Sequence, residues 1–179
     1  TRKKYKKILS NPSEVEFRDS FLKNYKEVND YVNNLIDKKN ISINKLIEKM
    51  YYMFEELNKE VDCFRIIVEN NGNRFSARKI VEKLIREHKK SKDHPVEKSV
   101  KFFLEFVSCL PLNRLSIPIG GFLLDLFLKQ SGYPAIPNWE RFEKLSMTYM
   151  KTENPKPVVN YTVSLLRKRM RENMKNIRK

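Results

Sequence analysis

The sequence predicts a mainly helical single domain, a bundle around a buried central helix that carries one small β-hairpin. Three observations predict it. Apolar residues recur at three- and four-residue steps along most of the 179 residues, the spacing of a helix face. Only four glycines and eight prolines are present, too few for a loop-rich all-β design. One Asn-Gly pair, Asn71-Gly72, stands between two short extended runs, and both residue types tolerate the positive φ of a tight hairpin turn. Hydrophobic residues make up 40% and charged residues 33%, so a packed core is expected and wholesale disorder is not. The length fits one domain over residues 1–179, with charged, frayed ends at about 1–12 and 173–179. No internal repeat and no linker divides the chain.

Each element has its own signal. Ser13-Glu14-Val15-Glu16 has the form of a capping box, and Phe17, Phe21, Tyr25, Val28, Tyr31, Val32 and Leu35 then trace one helix face. A second helix follows Ser42, with Leu46, Met50, Met53 and Leu57 in line and Tyr51, Tyr52 and Phe54 widening its apolar surface. The period then changes. Cys63-Phe64-Arg65-Ile66-Ile67-Val68 is short and β-branched, and with Asn70-Asn71-Gly72-Asn73 and Arg74-Phe75 it reads as the hairpin. Ser76 caps a helix carrying Ile80, Val81, Leu84 and Ile85.

His94-Pro95 starts the next helix, with proline at the first helical position, where its missing N–H costs nothing. Its stripe is Val96, Val100, Phe103, Val107 and Leu110, thickened by Phe102 and Phe106. Residues 111–118 are bracketed by prolines and read as a loop. Residues 120–128 are apolar almost all round, as a central helix should be, and Gly132 ends that helix. Two more helices are expected, one from about Trp139 to Tyr149 and one from about Pro157, whose inward face is Val159, Val163, Leu166 and Met170.

The formal net charge is +15, which favours acidic partners such as nucleic acid, nucleotides or anionic membrane. A chain rich in Lys, Asn and Ile also fits A/T-rich codon usage, so charge alone assigns no function. Much of it lies at the two ends, and Arg167, Lys168, Arg169 and Arg171 make the C-terminal end a candidate for weak nucleic-acid binding. Cys63 and Cys109 belong to no CxxC pair and read as buried free thiols. With only His88 and His94, no zinc-type cluster is expected. The longest apolar stretch, residues 117–128, is too short to span a bilayer and contains Asp125. A cytoplasmic protein without a membrane span is the simplest reading.

One set of residues carries a family resemblance. Asp93-His94-Pro95-Val96-Glu97-Lys98-Ser99 is followed by Phe103, Phe106-Val107 and Leu110-Pro111-Leu112, then by an apolar helix ending in Ser131-Gly132-Tyr133-Pro134. This order resembles the Fic (filamentation induced by cAMP) family. That family has an HP(I/L)xxA helix start and, sixteen residues on, the motif HPFx(D/E)GNGRxxR, then a helix ending in AGYP. The likeness covers about residues 42–172 and implies a Fic-type helical bundle whose upstream hairpin is the flap that docks a target segment. Phe64, Arg65, Ile66, Ile67, Asn71, Gly72 and Phe75 are then the expected partner-binding residues.

The resemblance also implies that the chemistry has been lost. Leu110 stands where the family has its catalytic histidine, Pro111 is retained, and Leu112 replaces the phenylalanine. Arg114 takes the place of the acidic metal ligand, Leu115, Ser116, Ile117 and Pro118 replace Gly-Asn-Gly-Arg, and Gly121 replaces the last arginine, while Gly120 matches a position that is often small. Fic enzymes typically move AMP from ATP to a protein hydroxyl, which needs a base near neutral pH, a carboxylate for Mg²⁺ and a backbone nest for the phosphates. Leucine accepts no proton, and arginine repels magnesium. The expectation is a pseudoenzyme that binds a protein partner, with no metal and no cofactor, ATP and Mg²⁺ entering only if the cleft still works. The alternative is a divergent nucleotidyl- or phosphate-transfer enzyme in which Arg114 and Ser116 contact phosphate and Asp125 or Glu97 supplies a base. Doc-type relatives act in toxin–antitoxin pairs, but the inhibitory (S/T)xxxE(G/N) helix is not recognisable here.

Overall fold

Seven helices and one short β-ladder make up the described part of the computed structural model, which covers residues 12–38, 40–56, 63–65, 68–70, 73–112, 115–136 and 139–177. The helices are α1 (Pro12–Asn33), α2 (Ile43–Glu55), α3 (Ala77–Lys90), α4 (Pro95–Cys109), α5 (Ser116–Gln130), α6 (Trp139–Thr152) and α7 (Lys156–Ile177). Strands β1 (Val68–Asn70) and β2 (Asn73–Phe75) lie between α2 and α3 and pair antiparallel, with Val68 opposite Phe75 and Asn70 opposite Asn73. Asn71 and Gly72 lie outside the described residues.

The centre is the α4–α5 pair. Gly120 is what lets the two helices approach. A Cβ there would stand 3.1 Å from Phe106, 3.2 Å from Val107 and 3.3 Å from Phe103, all on α4. Around this pair, α3, α6 and α7 pack on α4, while α1 and α2 pack on α5. Along α5, Ile119, Leu123, Leu124, Leu126 and Leu128 are wholly buried, so the helix meets protein on nearly every side. The outer helices bury one face each: Ile43, Leu46, Ile47, Met50 and Phe54 on α2, and Ala77, Val81 and Leu84 on α3. Buried Asn24 ties α1 to the end of α2, donating to the Phe54 carbonyl at 3.2 Å and to Glu56 at 3.1 Å.

The helix ends follow their sequence signals in most places. Ser42 and Ser76 stand at N-caps, although neither hydroxyl makes the capping bond. The α5 terminus has the hydrogen bonds of a Schellman turn. Gly132 at φ +81 donates to the Lys129 carbonyl at 3.0 Å, and Tyr133 donates to the Leu128 carbonyl at 2.9 Å.

Four expectations are corrected. Ser13 lies inside the first turn of α1, which begins one residue earlier at Pro12. Residues 63–65 are not strand: Cys63 and Phe64 are buried in succession, which the two-residue alternation of a half-exposed strand forbids, and the described ladder pairs Val68–Asn70 with Asn73–Phe75. The loop expected over 111–118 is shorter, because α5 already starts at Ser116 with Pro118 in its first turn, where no N–H is needed. Met170 does not face inward: it is 43% exposed, and Val158, Thr162 and Leu166 form the buried face of α7. The same helix runs to Ile177, through Arg, Met, Glu and Lys of high helix propensity and an i,i+4 contact between Lys168 and Glu172.

Candidate functional site

The site the sequence points to is the turn from α4 into α5. Helix α4 ends at Leu110, whose backbone is left-handed (φ 43, ψ 52) and whose N–H bonds to the Val107 carbonyl at 3.2 Å. From there the chain turns inward. Pro111, Leu112, Leu115 and Ser116 are buried, Leu112 being only 1% exposed. The Ser116 hydroxyl has no exposed surface and accepts the Leu112 N–H at 2.9 Å, closing the turn from inside. The Leu115 N–H returns to the Leu112 carbonyl at 3.2 Å.

Ile117 is 45% exposed, Pro118 is half-buried and Gly121 is buried within α5. Arg114, the expected phosphate contact, lies outside the described residues. Neither substitute base reaches the turn. Glu97, in the first turn of α4, pairs with Lys101 at 2.8 Å. Asp125 is nine residues along α5 from Ser116, about 13 Å up the helix axis. Its carboxylate accepts the Ile136 N–H at 3.3 Å. Burial pushes the Asp125 carboxyl above its usual range, against the opposing pull of that bond, Lys129 and Arg169.

The segment before the ladder is fastened to the turn. The Arg65 N–H donates to the Pro111 carbonyl at 2.9 Å, and β1 packs on α4. Arg65 is exposed. Phe64, expected among the partner-binding residues, is instead an anchor: it is 5% exposed, and the Arg78 guanidinium lies 4.8 Å from its ring centre. Arg78 in turn pairs with Glu48 of α2 at 3.1 Å. Phe75 stands in β2, while Ile66, Ile67, Asn71 and Gly72 lie outside the described residues.

The two outer pieces of the sequence pattern meet in space. His94 caps α4, its Nδ1 accepting the Val96 N–H at 3.3 Å. Its Nε2 lies 3.2 Å from the hydroxyl of Tyr133, just past the Gly132 turn. With Nδ1 as acceptor, the proton of the neutral ring sits on Nε2 and is donated to Tyr133. His94 is thus a cap and a clasp between the start of α4 and the end of α5. Sequence reasoning missed the clasp, although the Gly-Tyr-Pro after a helix stop gave the signal. It also missed His88, which stacks on Phe127 with centroids 4.2 Å apart and whose buried Nε2 has no hydrogen-bond partner among the described residues.

Among the described residues, no three His, Cys, Asp or Glu side chains are grouped so as to hold a metal ion, and no helix is long and apolar enough to cross a membrane. Cys63 and Cys109 are both buried. No protein-family model and no curated protein matches the sequence. Among solved structures, the chain is similar to the crystal structure of a Fic family protein from Desulfovibrio desulfuricans G20, at 13% identity and a TM-score of 0.59. The match covers 95% of this chain and 56% of that one, so this chain spans little more than half the neighbour's length. At that identity the likeness speaks of fold alone, and the fold is Fic-like.

Proposed function

We propose that this chain is a Fic-fold pseudoenzyme that acts by binding a protein partner. One observation carries the reading: the turn where the family keeps its phosphate chemistry is used here for packing. Leu112 and Leu115 are core residues, and the one hydroxyl, on Ser116, has no exposed surface and serves the turn's own backbone. Residues 110–112 and 115–118 fit a magnesium nucleotide badly. They offer no carboxylate, Leu110 accepts no proton, and Pro118 removes an N–H from the helix start. Losing a general base alone costs on the order of 10²–10⁴-fold in rate, before the metal and the phosphate cradle are counted. What supports a binding role is that the scaffold around the turn is intact, from the His94–Tyr133 clasp to the Arg65–Pro111 bond.

The test is titration calorimetry with ATP, ADP and a pyrimidine nucleotide, with and without Mg²⁺. The expected result is no saturable, base-selective heat. Saturable binding that disappears in Arg114→Ala or Ser116→Ala would overturn the reading in favour of a divergent phosphate-transfer enzyme.

A further inference from the structure

Among the described residues of α7 the last buried one is Leu166, yet the helix continues to Ile177. Residues 167–175 therefore present about 14 Å of helix beyond the core. Arg169 alone turns back, reaching the Ala135 carbonyl at 3.3 Å. Two ridges run along the rest. Arg167, Arg171 and Lys175 repeat at four-residue steps and are exposed. Met170 and Met174 do the same on the neighbouring ridge, at 43% and 56% exposure. Arg167, Arg171 and Lys175 have no ion-pair or hydrogen-bond partner among the described residues, and the nearby Glu172 engages Lys168 at 4.0 Å.

The geometry points to this part of α7 as the docking ridge for an acidic amphipathic helix of a partner protein, an inference that rests on the partner-binding reading above. Charge complementarity selects the occupant. A second copy would set the same cations against each other on a chain of net charge +15. A nucleic acid would use the cations but leave the two methionines in water. A membrane surface calls for a broad face of Trp, Phe or Leu, and residues 167–175 offer only two methionines. A partner helix with leucines along one edge and glutamates along the next matches both ridges at once. Methionine suits the apolar half, because its unbranched side chain adapts to what it meets.

The test uses the full chain and a dye-labelled synthetic helix about five turns long, with Leu at four-residue steps and Glu along the adjacent edge. Anisotropy should show saturable binding, weakened about tenfold or more by Met170→Ser with Met174→Ser, and again by Arg167→Glu with Arg171→Glu. Lys90→Glu, a charge change on another helix, should leave binding unchanged. Equal binding of a scrambled peptide, indifference to the methionine changes, or equal loss with Lys90→Glu would overturn the inference. So would displacement of the peptide by an RNA oligomer or by anionic vesicles that bind the methionine variants equally well. Peptide failure without nucleotide binding removes only this surface. Base-selective nucleotide binding removes the pseudoenzyme reading whatever the peptide does.

Discussion

The imidazole of His88 lies between Phe127, on which it stacks, and Phe102, which it meets edge-on with centroids 5.6 Å apart. Burial in this apolar sandwich, helped by the charge of Lys98, lowers its pKa from 6.5 to about 4. The unfolded chain binds that proton near pH 6.5 and the folded chain does not. Stability from this residue is therefore fully present above about pH 6.5 and declines as the pH falls towards 4. With partial solvent access allowed for, the loss is about 1–2 kcal/mol. His88→Phe keeps a ring on Phe127 and removes the partnerless nitrogen. Urea melts at neutral and mildly acid pH should show a shallower acid dependence in the variant, and an unchanged slope would refute the assignment. None of this was legible in the sequence, where His88 is one polar residue at the end of an amphipathic helix. The distinction depends on which neighbours the tertiary fold places against the ring.

Helices were the most legible level. Proline after His94, glycine after the α5 run and the three- and four-residue apolar steps each mark a local event, and local events are written in adjacent residues. The errors arose where two local rules gave different answers. Pro118 reads as a loop residue until it is placed in the first helical turn, and Met170 continues an apolar ladder yet is 43% exposed. The crossing of α4 and α5 gives a sharper prediction at this scale. Ala in place of Gly120 gains about 1 kcal/mol of helix propensity but drives a methyl into three side chains on α4. Those residues are 0–4% exposed and have little room to yield, so overpacking of about 1–3 kcal/mol should prevail. Gly120→Ala should lower the denaturation midpoint and Gly120→Val should lower it further. A stabilised alanine variant would mean the helices can part without cost.

For the molecule as a whole, the Fic-like arrangement was legible because it rests on the order and spacing of a few pieces. The shape of the turn at Leu112 and Ser116 was not, because a missing motif says nothing about what fills its place. Charge is unevenly distributed across the same scale. Residues 167–179 hold seven Lys and Arg and a single Glu, while the buried face of α7 ends at Leu166. A chain ending after Arg169 keeps that face and the Arg169 contact with Ala135. It should unfold within about 0.5 kcal/mol of the full chain, as exposed positions do. A loss of several kcal/mol on chemical denaturation would show that the end of α7 supports the core.

The left-handed backbone at Leu110 bears on how such a surface could be remade. The twist belongs to the end of α4, where the Leu110 N–H bonds to the Val107 carbonyl and buried residues follow, while the leucine side chain itself is only half-buried. Asn, Asp and His enter that backbone region more readily than leucine does. A single codon change could thus place a polar group at Leu110 without moving the scaffold, whereas Leu112, Leu115 and Ser116 are held by packing on every side. Change at this turn is easy at its rim and hard at its floor, so a lineage built on this framework would vary in what it touches long before it varied in how it folds.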